Sequence, residues 1–96
     1  MGIKERKNGL TEFEGIIDSV EFSSCGFVGQ NTHIKLDVMR GEVWVPCILP
    51  LKALDFVWIL VDRDGLVHEL QRFGHRTPNS RDRFLYFTYK NTQSVR

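Results

Sequence analysis

The sequence predicts an all-β domain, a small antiparallel barrel of five to six strands. Apolar residues alternate with polar ones, most cleanly where Ile34, Leu36 and Val38 oppose His33, Lys35 and Asp37. Turn signals at Arg40-Gly41 and Asp62-Arg63-Asp64-Gly65 separate neighbouring apolar runs. Those runs are rich in Val, Ile and aromatics, which suit a pleated, half-buried surface. A small sheet removes its exposed edges by closing on itself.

Taken in order, residues 1–9 are polar and charged and read as a flexible basic arm. Residues 13–22 place Ile16, Ile17, Val20 and Phe22 among polar neighbours; the adjacent isoleucines break the alternation and predict a bulge near Gly15. Residues 23–31, with Gly26 and Gly29, form a loop, and residues 32–38 a strand. Arg40-Gly41 then turns tightly into Val43-Trp44-Val45, and Pro46 and Pro50 put this strand at an edge or bulge because proline donates no ladder hydrogen bond. Residues 51–55 make one helical turn or a plain connection. Residues 56–61, apolar on both faces, predict a buried central strand that includes Trp58 in the core. Trp44, beside the prolines, reads as core or as an aromatic exposed for a ligand.

Gly65 supplies the positive φ of the next hairpin, and residues 66–73 return with Val67 and Phe73 on one face and Leu66, His68 and Leu70 on the other. Residues 74–80 are a loop. Residues 81–90 read as a strand on their Phe, Tyr and Thr content, with a helix capped by Asn79 or Ser80 as the alternative. The single domain thus spans residues 10–90, and residues 91–96 form a polar tail.

At fold level this layout is similar to an oligonucleotide/oligosaccharide-binding (OB) barrel; an SH3-like barrel and an open curved sheet are the competing arrangements. Glu21-Phe22-Ser23-Ser24-Cys25-Gly26 resembles the Asp/Asn-x-Ser-x-x-Gly motif of PilZ domains, which implies a barrel with a C-terminal helix and a cyclic dinucleotide ligand. Here Glu stands first, and the Arg-x-x-x-Arg motif that would grip phosphate and guanine is absent upstream. Residues 13–22 followed by Gly26 are similar in rhythm to the opening of TOBE-type small-ligand barrels.

The net charge of +1 hides segregation: +2 over residues 1–10, −6 over 11–70 and +5 over 71–96. Basic ends around an acidic body fit a polyanionic partner, or pairing within the chain or across a homodimer. The segment Arg81-Asp82-Arg83-Phe84-Leu85-Tyr86-Phe87-Thr88-Tyr89-Lys90 interleaves aromatics with basic residues, the mixture that stacks bases and neutralises phosphates. As a strand it points Arg83, Leu85, Phe87 and Tyr89 one way and Phe84, Tyr86, Thr88 and Lys90 the other.

These features predict a non-enzymatic binding module holding single-stranded nucleic acid through Arg72, Arg76, Arg81, Phe84, Tyr86 and Lys90. The alternatives are a protein-interaction or oligomerisation module, and a small-molecule or cyclic-dinucleotide barrel. No cofactor is expected. His33, His68, His75, Cys25 and Cys47 lack metal-site spacing, and Asp62-x-Asp64-Gly65 suits a hairpin turn better than a calcium loop. Two thiols without CxxC, a charged N-terminus and no long apolar run predict a cytoplasmic chain with no membrane partner.

Overall fold

The computed structural model describes residues 2–5, 8–24, 29–74, 85 and 87–91. They form β1 (Gly2–Glu5), β2 (Thr11–Ser24), β3 (Gln30–Leu36), β4 (Val43–Val45), β5 (Phe56–Val61), β6 (Val67–Gly74) and β7 (Phe87–Lys90). All seven belong to one antiparallel sheet with the order β4-β3-β2-β5-β6-β7, and β1 pairs with β2 off this path. Gly2–Glu5, expected within a loose arm, is therefore an edge strand.

β2 organises the sheet. On one edge it pairs first with β1, at Thr11 to Glu14, and then with β3, from Ile17 onward; on the other edge Thr11 to Ile16 pair with β5. Asp37 fills the gap between β1 and β3. The Ile16 amide donates to Asp37 Oδ1 (3.0 Å), and the Asp37 amide donates to the Ile16 carbonyl (2.9 Å). Gly15 permits this approach, because a Cβ there would collide with the Asp37 carboxylate and Val38. The bulge expected near Gly15 lies between Ile17 and Ser19.

One face carries the core: Ile17, Ile34, Leu36, Val43, Val45, Leu51, Val57, Ile59, Val61, Val67 and Leu70. Val67 and Leu70 are three apart, which a regular strand would put on opposite faces. The register runs from Val61↔Val67 to Leu60↔Glu69, so His68 is an extra residue that returns Leu70 to the core. Trp58, expected in the core, alternates with Val57 and Ile59 and lies half-buried on the other face. Its indole N–H donates to Glu12 Oε1 (2.9 Å).

The expected closed barrel is not formed; the sheet stays open. β4, at one end of the sheet, meets the residue before β6 at one parallel bridge, Trp44 with Leu66, where the Trp44 amide donates to the Gly65 carbonyl (2.9 Å). β4 is three residues long and Pro46 follows it, so no ladder extends from this bridge. The tight turn expected at Arg40-Gly41 is a longer connection between Leu36 and Val43. Residues 51–55 contain a turn rather than a helix, and no helix occurs among the described residues.

Candidate functional site

Of the six predicted site residues, Arg76, Arg81, Phe84 and Tyr86 lie outside the described residues. Arg72 and Lys90 are described, and the structure separates them. Arg72 lies opposite Phe87 and Lys90 opposite Glu69 across the β6–β7 ladder, on the two faces of the sheet. Arg72 points to the core side, where its guanidinium grips fully buried Asp55: Nε to Oδ2 at 2.7 Å and Nη2 to Oδ1 at 3.2 Å. Asp55 Oδ2 also accepts the Lys52 amide (3.1 Å), and the Asp55 carbonyl accepts the Ile17 amide (2.9 Å). Arg72 thus holds the turn before β5 against β2, a structural role that a count of basic residues does not reveal.

The described part of residues 81–90 divides as its strand period requires. Phe87 and Tyr89 pack against the core, and Thr88 and Lys90 are exposed. Burial pushes the Tyr89 hydroxyl pKa up, and the neighbouring Cys47 adds to this; burial also raises the Cys47 thiol. The face around Lys90 is an ordered charge row. Lys4, Glu12, Leu60, Glu69 and Lys90 are successive register partners across β1, β2, β5, β6 and β7. Lys90 Nζ lies 3.7 Å from Glu69 Oε1. Glutamates flank the centre of this row, so a phosphate backbone would meet like charge there.

A different surface places an aromatic beside a histidine and a lysine, with Glu21 and Glu42 around the histidine. On β4, Val43 and Val45 enter the core, so Trp44 faces outward, half-buried, directly opposite His33 on β3. Lys35 follows on the same face of β3 and is exposed. The His33 ring is held from both sides, with Nε2 3.2 Å from Ser23 Oγ and Nδ1 3.4 Å from Glu42 Oε1. The signal was present in the sequence, since a Trp between two core-seeking valines belongs on the opposite face.

The Asp62–Gly65 segment is a hairpin turn. Asp62 Oδ1 accepts the amides of Asp64 (2.9 Å) and Leu66 (3.1 Å), Oδ2 lies 3.0 Å from His68 Nε2, and Gly65 has φ of 84°. Burial raises the Asp62 pKa, but the His68 hydrogen bond and the two amides outweigh it and hold the carboxyl below its usual range. Among the described residues, no three His, Cys, Asp or Glu side chains gather to hold a metal ion.

No family model, curated protein or solved structure matches this chain. No helix among the described residues is long and apolar enough to cross a membrane.

Proposed function

We propose that this chain is a small non-enzymatic binding module, an open sheet with OB-like connectivity, that holds single-stranded nucleic acid. The observation that carries the reading is the outward Trp44 opposite His33 and beside Lys35. The path β4-β3-β2-β5-β6, with a parallel bridge between its ends, supports the OB-like comparison; β1 and β7 are then added edge strands. Barrels of that kind offer the outer face of their second and third strands to oligomeric ligands, the places that β3 and β4 take here. An indole face stacks on any base, and Lys35 with the arginines at positions 76, 81 and 83 attracts phosphates. Arg76, Arg81, Phe84 and Tyr86 remain proposed contacts of this ligand. Arg72 is bound to Asp55 instead, and Lys90 belongs to the opposing charge row.

Fluorescence anisotropy with labelled single-stranded DNA and RNA at low ionic strength tests the reading. Trp44→Ala is expected to weaken binding roughly 5- to 150-fold, the loss of one stacked base, while Trp58→Phe changes it little. Absence of salt-sensitive binding by the unaltered chain would sink the proposal.

A second reading has its own observation. β7 ends the sheet path, and Leu85 beside it is 52% exposed. An edge that no strand among the described residues covers, next to an exposed apolar side chain, suits strand pairing with a second copy. Sedimentation velocity at high protein concentration decides this: a strict monomer removes the dimer.

A further inference from the structure

A cleft of about 500 Å³ opens at the end of the sheet where β1, the β3–β4 connection and the β5–β6 turn come together. Its size lies within the roughly 300–1,000 Å³ of small-molecule sites. The floor is apolar and continuous with the core: Phe13 and Met39 pack on the core cluster, and Val61 belongs to it. One wall is Ile3, which remains 57% exposed although the β1 backbone is locked to β2. An anchored strand that leaves a β-branched side chain open to such a space provides a contact surface for an apolar ligand body.

The rim carries charge of both signs, and the two signs differ in their partners. Four charged residues line the cleft: Arg40, Glu42, Asp62 and Arg63. The two carboxylates are engaged elsewhere, Glu42 with His33 and Asp62 with His68 and its own turn amides. Arg40 and Arg63 are exposed, and neither forms an ion pair among the described residues. An apolar floor beneath two guanidiniums that have no carboxylate partner among the described residues offers a place for a small amphipathic anion. We infer that this cleft binds such a molecule, its apolar body on Ile3, Phe13 and Met39 and its carboxylate or other anionic head between Arg40 and Arg63. The inference goes beyond the nucleic-acid reading and does not rest on it, since Trp44, His33 and Lys35 take no part.

Three probes with one tail and different heads test it: octanoate, octanol and octylammonium, titrated into the isotope-labelled full chain and followed by amide chemical shifts. Octanoate is expected to give saturable shifts at Ile3, Phe13, Met39 and Val61, with octanol weaker and octylammonium without effect. Arg40→Gln and Arg63→Gln should each weaken octanoate about fivefold, the scale of an exposed ion pair, and leave octanol unchanged. Met39→Trp, which fills the floor, should abolish binding, with a dispersed spectrum confirming that this variant folds. If Met39→Trp unfolds, the two arginine variants carry the test. Octanol binding as tightly as octanoate would overturn the anion assignment. No saturable shift with any probe would overturn the site. Neither result touches the Trp44 experiment.

Discussion

Asp55 shows how much one side chain can carry in a small sheet. It is fully buried, and its carboxylate is paired with the Arg72 guanidinium. Removing one partner of such a pair strands the other in a poorly solvated place, which costs about 3–5 kcal/mol. Asp55→Ala is therefore expected to lower stability by that amount in urea unfolding. Asp55→Asn, which keeps an acceptor for the Lys52 amide, should cost less. Its neighbour Leu54 makes the opposite prediction. Leu54 has φ of 77° and is 68% exposed. A left-handed conformation costs a leucine about 1–2 kcal/mol, and a glycine adopts it freely at an entropic cost of about 0.5–1 kcal/mol. Leu54→Gly should raise stability by up to about 1 kcal/mol in the same measurement. The strain persists because the Leu54 amide donates to the Ile17 carbonyl (2.9 Å) and Asp55 fixes the turn from the other side.

At the scale of elements, the β5–β6 turn ties stability to pH. The Asp62 carboxyl titrates below its unfolded value, so the folded state favours the ionised form. That contribution is fully present above the unfolded pKa, about 4, and disappears as pH falls through the lower folded value. Thermal melts should show stability level from neutral pH to about pH 5 and falling below about pH 4. Asp62→Ala should be on the order of 1 kcal/mol less stable at neutral pH, with a shallower acid slope. A slope equal to that of the unaltered chain would show that the turn is not the acid-sensitive element. The segment after β4 is pinned in a comparable way. Buried Thr32 donates from Oγ1 to the Cys47 carbonyl (2.7 Å) and accepts the Leu49 amide (3.1 Å), tying the proline-flanked connection to β3.

For the molecule as a whole, charge segregation sets the conditions under which function will be visible. An acidic body between basic ends leaves the net charge near zero, so attraction to a polyanion depends on the basic segments being free of the body. Salt screens both contacts, but release of counterions from nucleic acid dominates its binding. Affinity for single-stranded DNA should fall linearly with salt on a double-logarithmic plot, with a slope of roughly −2 to −4 for about three to five neutralised phosphates. A slope near zero would remove the nucleic-acid reading, because no phosphate would then be neutralised on binding.

Much of the fold was legible in local pattern. Residues 32–36 of the 32–38 alternation lie in β3, which starts earlier, at Gln30, and ends before Asp37; the continuous apolar run became β5, Gly65 took its positive φ, and Phe87–Lys90 formed a strand with Phe87 and Tyr89 turned to the core. These follow from side-chain period and turn chemistry, which neighbouring residues specify by themselves. What required tertiary structure was every matter of partners. The extra residue at His68 reversed the faces expected along β6, because a register shift depends on the opposite strand. Trp58 left the core for the same reason that Trp44 became the candidate stacking residue: each sits between residues that the core claims first. Three-residue β4 left the sheet open, which the number of strands could not foretell. Arg72 counted as a nucleic-acid contact while only its charge was known. Composition determined that a basic, aromatic C-terminal segment follows an acidic body; the tertiary structure decided that Asp55, distant in sequence and fully buried, holds this arginine, because a buried carboxylate takes the nearest guanidinium before any ligand can.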